Sequence, residues 1–198
     1  MAVIVVNHVS LDGVMQAPGR ADEDTRGGFT HGGWAASADD PKIGEAMGVA
    51  MGGQFAWLFG HRTYNDLLGH WNEVGGPFKD GLNNVPKYVA TSDPKTELPW
   101  PNSSVVSGDV PAAVTALRAE VDGNVVIMGS GELVQSLLPQ GLVDEMLLMI
   151  HPVTLGRGRK LFPLDGALRH FALESAETTD DGILLVKYRG KQTPAPDR

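Results

Sequence analysis

The chain reads as an α/β fold with a mainly parallel central sheet and an antiparallel hairpin at its C-terminal end. Three observations predict this. First, short apolar runs pass through glycine straight into amphipathic segments, as in Val125-Val126-Ile127-Met128-Gly129-Ser130-Gly131 and Phe55-Ala56-Trp57-Leu58-Phe59-Gly60. That is the pattern of a buried strand, a tight turn and a helix. Second, Thr179-Asp180-Asp181-Gly182 separates the apolar runs around Phe171 and Ile183 to Tyr188, and Asp-Gly between two such runs signals a hairpin. Third, no repeat, heptad or linker divides the chain, so one domain over 1–190 with a tail at 191–198 is expected.

The totals narrow the function classes. A domain of 198 residues buries about 70% of its unfolded surface and needs no staples. The chain has no cysteine, which excludes disulfides, thiolate zinc sites and cysteine nucleophiles, and with no zinc motif no metal site is expected. Sixteen basic against twenty-four acidic residues give a net charge of −8 without a basic stripe, so nucleic acid is not an expected partner. No apolar run approaches the ~20 residues that span a bilayer, and the first residues lack the positive flank of a signal peptide. A soluble cytoplasmic protein with no membrane partner is expected.

The elements follow in order. Ala2 to Val9 is rich in Val and Ile and suits a central strand. Gln16 to Ser37 has no period and reads as a long loop, a feature usually functional or disordered. Its Phe29 and Trp34, with Met15 before it, either cover a ligand or pin the loop to the core. Asp39-Asp40-Pro41 is a helix start, and Ile43, Met47, Ala50 and Met51 carry that helix to Gly52. After the Phe55 strand a helix is expected from Tyr64 to His70, with Gly60-His61-Arg62-Thr63 at its entry. Basic residues in a first helical turn are unfavourable unless an anion compensates them. Gly75 to Asn84 reads as a polar loop, Lys87 to Ala90 as a strand, Thr91-Ser92 as its hydroxyl-bearing end, and Ser104 to Val106 as a minor strand. Asp109-Val110-Pro111 opens a helix to Val121. Beyond Gly131, Leu133, Val134, Leu137 and Leu138 form one helical face stopped by Pro139, and Leu142 to Ile150 is a further buried strand.

Gly129-Ser130-Gly131 is the strongest functional signal. Glycines there let the backbone approach a ligand, and the N–H groups of a first helical turn attract phosphate; the competing reading is a tight turn and nothing more. Val134 stands where a Rossmann fingerprint has its third glycine, and the strand ending near Ile150 supplies no acid for a ribose. The usual dinucleotide fold is therefore disfavoured.

Ser10-Leu11-Asp12-Gly13, Phe59-Gly60-His61-Arg62-Thr63-Tyr64, Ala90-Thr91-Ser92, Val126 to Gly131, Leu138 to Glu145 and Gly156 to Phe162 occur in an order that resembles the dihydrofolate reductase superfamily. Within it, they resemble the reductase domain of riboflavin-biosynthesis deaminase/reductases. The resemblance implies a three-layer dihydrofolate reductase-like fold, NADPH as cofactor, a small heterocyclic or carbonyl substrate and a possible homodimer. Gly129, Ser130 and Gly131, followed by Glu132 and Leu133, would hold the pyrophosphate. Gly60, Arg62 and Thr63 would add phosphate contacts, and Thr91 and Ser92, with Arg62, would meet the 2′-phosphate, for which a guanidinium fork is suited. Asp12 to Gln16 would be a lid. Glu45 is the implied proton-donating carboxylate, with Asp12 and Asp40 as rivals. Asn7, Trp34, Met47 and Trp71 would wall the substrate pocket, each with core packing as the alternative. Arg157, Arg159 and Lys160 either contact a substrate phosphate or face solvent. The riboflavin-pathway relatives reduce a ribosyl group of a pyrimidine to a ribityl chain; a true dihydrofolate reductase and a non-catalytic nucleotide binder of the same fold are the alternatives.

Overall fold

A computed structural model describes residues 1–35, 40–166 and 168–191. The expected tail therefore lies outside the described residues except for Lys191, as do Ser37 at the end of the expected loop and Asp39 of the expected helix start. The elements are β1 (Val3–Ser10), α1 (Pro41–Met51), β2 (Phe55–Gly60), α2 (His61–Val74), α3 (Pro77–Asn84), β3 (Lys87–Ala90), β4 (Ser103–Val106), α4 (Val110–Glu120), β5 (Asn124–Met128), α5 (Gly131–Leu137), β6 (Glu145–His151), β7 (Phe171–Thr178) and β8 (Leu184–Gly190). Pro139 falls in a 3-10 turn, Leu138–Gln140, that ends α5, consistent with a proline's missing N–H.

The strands form one eight-stranded sheet in the order β4-β3-β2-β5-β1-β6-β8-β7. The first six in that order are mutually parallel, and β8 and β7 close the sheet antiparallel. β1 lies at the centre with Val3, Ile4, Val5 and Val6 all buried. A strand covered on both faces must be apolar on both, and its Val/Ile run meets that need.

Two apolar layers flank the sheet. On one face Val3, Val5, Val125 and Ile127 pack with Val114 of α4 and Leu133, Val134 and Leu137 of α5. On the other, Ile4, Val6, Phe59 and Met149 pack with Ile43 and Ala50 of α1, Tyr64 and Leu68 of α2 and Leu82 of α3. Asp40 caps α1 by accepting from the Lys42 N–H at 2.9 Å, and Asp109 caps α4 through the Ala112 N–H at 3.0 Å.

Three expectations are corrected. Gly75 to Asn84 is not a loop throughout, because Pro77–Asn84 is helical. α2 begins at His61 and extends to Val74, beyond the expected Tyr64 to His70. The strand expected from Leu142 starts at Glu145.

Candidate functional site

Parallel strands deliver their carboxyl ends to one edge of the sheet, and the order here brings three of them side by side. Gly60 is in register with Ala90, and Ala90 with Val106, so the corners after β2, β3 and β4 stand in a row. β5 pairs with both β2 and β1, which puts the Gly129 turn at the point where the chain order reverses. Open sheets bind ligands at such a switch point.

The β2 and β5 corners are locked together. Gly129 (φ 64°) and Ser130 (φ 59°) are both left-handed, a conformation glycine adopts freely and serine only at a cost. Local bonds offset that cost: Ser130 Oγ accepts the Gly60 N–H at 2.8 Å and donates to Thr63 Oγ1 at 2.9 Å. A Cβ on Gly129 would sit 3.2 Å from Thr63 Cγ2, and one on Gly131 would sit 2.6 Å from Met15 Sδ. The glycines thus serve close packing of the turn against α2 and against the loop after β1.

These corners open into a cleft of about 1660 Å³. Gly60, Arg62 and Thr63 line it, as do Thr91 and Ser92, then Gly129, Ser130, Gly131, Glu132 and Leu133. Asn7, Met47 and Trp71 line it too. Gln16 of the expected lid lines it as well, whereas sequence reasoning missed the Gly108 corner after β4, Arg20 of the long loop, and His8.

Charge is unevenly satisfied around the cleft. Arg20 pairs with Asp66 across from the long loop to α2 at 2.5 Å, Arg26 pairs with Asp24, and Arg159 pairs with Glu132 at 2.6 Å. Glu132 is thereby committed to an arginine. Arg62, exposed in the first turn of α2, has no ion-pair partner among the described residues. Glu23 accepts the Gly19 and Arg20 N–H groups at 2.7 and 3.1 Å, and burial raises its carboxyl pKa.

Three site expectations fall elsewhere. Asp12 is not on the cleft wall: its carboxylate accepts from Ser10 Oγ at 2.6 Å, from the Leu155 N–H at 3.1 Å and from the Gly156 N–H at 2.8 Å. Glu45 is on the exposed side of α1, because Ile43 and Met47, two residues either way, turn to the cleft. Trp34 lies behind the wall, donating to the Gln16 carbonyl at 2.7 Å and meeting the His151 ring edge-on at 5.3 Å; it pins the loop. Asp40, the remaining rival for the proton, is occupied as the α1 cap.

The expected lid is clamped. Met15 donates its N–H to the Arg159 carbonyl at 2.9 Å, Leu161 to that of Gly13 at 3.0 Å, and Arg159 to Gln16 Oε1 at 2.9 Å. Segments 10–16 and 153–161 therefore act as one clamp that sets one wall. Arg159 and Lys160 reach the cleft from it, while Arg157 lines a smaller neighbouring cavity.

The most informative missed residues are a pair of histidines. His8 Nδ1 and His151 Nε2 stand 2.8 Å apart. Burial, then the adjacent His151, holds His8 down to about 4, and burial also lowers His151.

Comparison with known proteins gives a consistent setting for this geometry. A family model described as the RibD C-terminal domain matches residues 1–185. The chain is 29% identical over 139 residues to Uncharacterized protein YyaP of Bacillus subtilis strain 168, covering 66% of this chain and 71% of that one. Among solved structures, a putative riboflavin biosynthesis protein from Shewanella sp. PV-4 superposes with TM-score 0.66 at 22% identity, over 97% of this chain and 100% of that one. A pyrimidine reductase-like protein from Corynebacterium diphtheriae gives 0.63 at 14% identity, over 97% and 92%. A dihydrofolate reductase from Enterococcus faecalis, complexed with NADP(H) and RAB-propyl, gives 0.63 at 15%, over 96% and 97%. The fold is dihydrofolate reductase-like.

Proposed function

The chain belongs to the RibD C-terminal domain family, and from that premise we propose that it is an oxidoreductase using NADPH to reduce a small carbonyl or heterocyclic substrate. The observation that carries this reading is Arg62: a cation without an ion-pair partner among the described residues, in the first turn of α2, beside the Thr91-Ser92 and Gly129-Ser130-Gly131 corners of one cleft. A cation there opposes the helix dipole, and a bound phosphate would relieve that.

The residues fit such a dinucleotide by the chemistry of what they present. Backbone of the Gly129 turn and the Thr63 hydroxyl suit the pyrophosphate, while Arg62 and Ser92 suit the 2′-phosphate. The one acid at the β5 corner, Glu132, is neutralised by Arg159. When bound, NADPH supplies a hydride from its reduced pyridine ring. The chain's own part is to orient and to exclude water: Met15 and Gln16 on the clamped segment, with Ala35 and Met47, line the same cleft as the corners.

Binding tests this directly. NADPH should quench the tryptophan fluorescence of the wild type, with affinity at least about tenfold above that for NADH, a difference near 1.4 kcal/mol. Arg62→Ala should erase the preference. Equal affinities unmoved by the substitution would exclude the reading.

A further inference from the structure

We propose that His8 is a catalytic residue that hydrogen-bonds, through its Nε2–H, the electrophilic C=O or C=N of an uncharged substrate, and that His151 is the positioning residue that fixes its tautomer. This rests on the reductase reading above.

Parallel register pairs His8 with Met149 and Ser10 with His151, so the two imidazoles lie diagonally on one face of the sheet. At 2.8 Å, His8 Nδ1 and His151 Nε2 share one proton. His8 lines the cleft, whereas His151 is 2% exposed and covered by Trp34. With Nδ1 engaged, Nε2 is the His8 nitrogen left for a ligand.

The proton's position follows from which orphan costs less. Were His8 Nδ1 the donor, neutral His151 would carry its hydrogen on Nδ1, which meets no acceptor among the described residues. Keeping His151 Nδ1 bare avoids a ring N–H with no acceptor among the described residues, while a His8 Nε2–H opens on the cleft. His151 therefore donates from Nε2, and His8 keeps its hydrogen on Nε2.

The surroundings keep both rings neutral. α1 contributes Ile43 and Met47, the strands contribute Val6 and Met149, and the long loop contributes Trp34. None of these titrates. Such a floor suits an uncharged carbonyl or imine: among the described residues the carboxylates that line the cleft, Glu23, Asp24, Asp66 and Glu132, come from the long loop, α2 and α5, and β1, β6 and α1 present none there to a protonated aminopyrimidine. A reduced pyridine nucleotide held in the cleft would supply the hydride, the pair of its broken C–H bond becoming the new C–H bond at the substrate carbon. The π pair moves to the heteroatom, where the His8 N–H stabilises it until a solvent water gives up a proton and hydroxide leaves to bulk. A neutral imidazole acting as such a donor is a known arrangement.

The test begins without turnover. In full-length protein labelled with ¹⁵N-histidine at pH 7, both His8 and His151 should be protonated on Nε2 and bare on Nδ1; His8 bearing its proton on Nδ1, or on both nitrogens, overturns the proposal. Millimolar isatin, an uncharged dicarbonyl, should shift the His8 Nε2 resonance, and trimethoprim should not. No response to isatin, or an equal one to trimethoprim, also overturns it. His151→Gln, which can still donate, should preserve the His8 tautomer, and His151→Leu should release it; a tautomer unmoved in His151→Leu counts against the positioning role. His8→Gln should leave NADPH affinity within about twofold and lower NADPH-dependent isatin reduction by about 10²-fold or more; unchanged reduction refutes the catalytic role. Should NADPH fail to bind at all, the dinucleotide reading falls, while the tautomer and isatin measurements still decide this one.

Discussion

Asp12 bears on the near wall of the cleft through a turn rather than through chemistry. Its two oxygens receive the Ser10 hydroxyl and the Leu155 and Gly156 N–H groups, and these bonds, the Ser10 one foremost, hold the carboxyl down to about 2. A carboxyl with a depressed folded pKa contributes stability that is fully present above its unfolded value of 3.8 and is lost as pH falls through about 2. Asp12→Asn keeps one acceptor oxygen in place of two. It should cost about 1 kcal/mol at pH 7, seen as a melting temperature lower by about 2–4 °C for a chain of this size. The gap between variant and wild type should narrow as pH falls from 4 towards 2. A gap independent of pH would mean that the charge of Asp12 contributes nothing to the clamp.

At the scale of elements, α3 shows why part of the fold was not legible. Its sequence, Pro77-Phe78-Lys79-Asp80-Gly81-Leu82-Asn83-Asn84, follows two glycines and carries the residues of a turn. Tertiary contacts override that propensity. Leu82 is buried, Phe78 meets the Trp71 ring at 4.8 Å, and Lys87 of β3 donates to the carbonyls of Leu82 at 2.6 Å and Val85 at 2.8 Å at the helix end. The Lys87 ammonium is consequently buried and pushed down to about 8. Between about 8 and its ordinary 10.5 the unfolded chain binds more protons than the folded one, so this group's contribution to stability rises with pH across that window. Urea unfolding of wild type and Lys87→Met at pH 7.5 and pH 10 should therefore show the wild type gaining on the variant at the higher pH. A constant difference would place the true pKa of Lys87 near its unfolded value. By contrast, the helices opened by Asp40-Pro41 and Asp109-Val110-Pro111 were readable, because their caps are local. Glu45, expected as the proton-donating carboxylate, instead stands outward, since Ile43 and Met47 on either side of it turn to the cleft.

Over the whole molecule, what could be read in advance is what a strand carries into its own turn. The corners at Gly60, Ala90 and Met128 announce themselves in consecutive residues. Contacts made by strand order do not: His8 and His151 are 143 residues apart in the chain, and Asp12 reaches Leu155 over the same separation. Both depend on the register of β1 with β6, which no local pattern records. The same order makes the cleft a junction, since its walls come from the β1 loop, α1, α2, the β3 and β4 ends and α5. A ligand seated there holds those parts together and binds the native state alone, so its affinity adds directly to folding stability. At a hundred times its dissociation constant NADPH should add about 2.7 kcal/mol, a rise of roughly 5–11 °C in melting temperature for a domain of this length. The shift should grow with the logarithm of NADPH concentration and shrink in Arg62→Ala. A melting curve indifferent to NADPH at millimolar concentration would mean that the three corners, although adjacent, do not share one ligand.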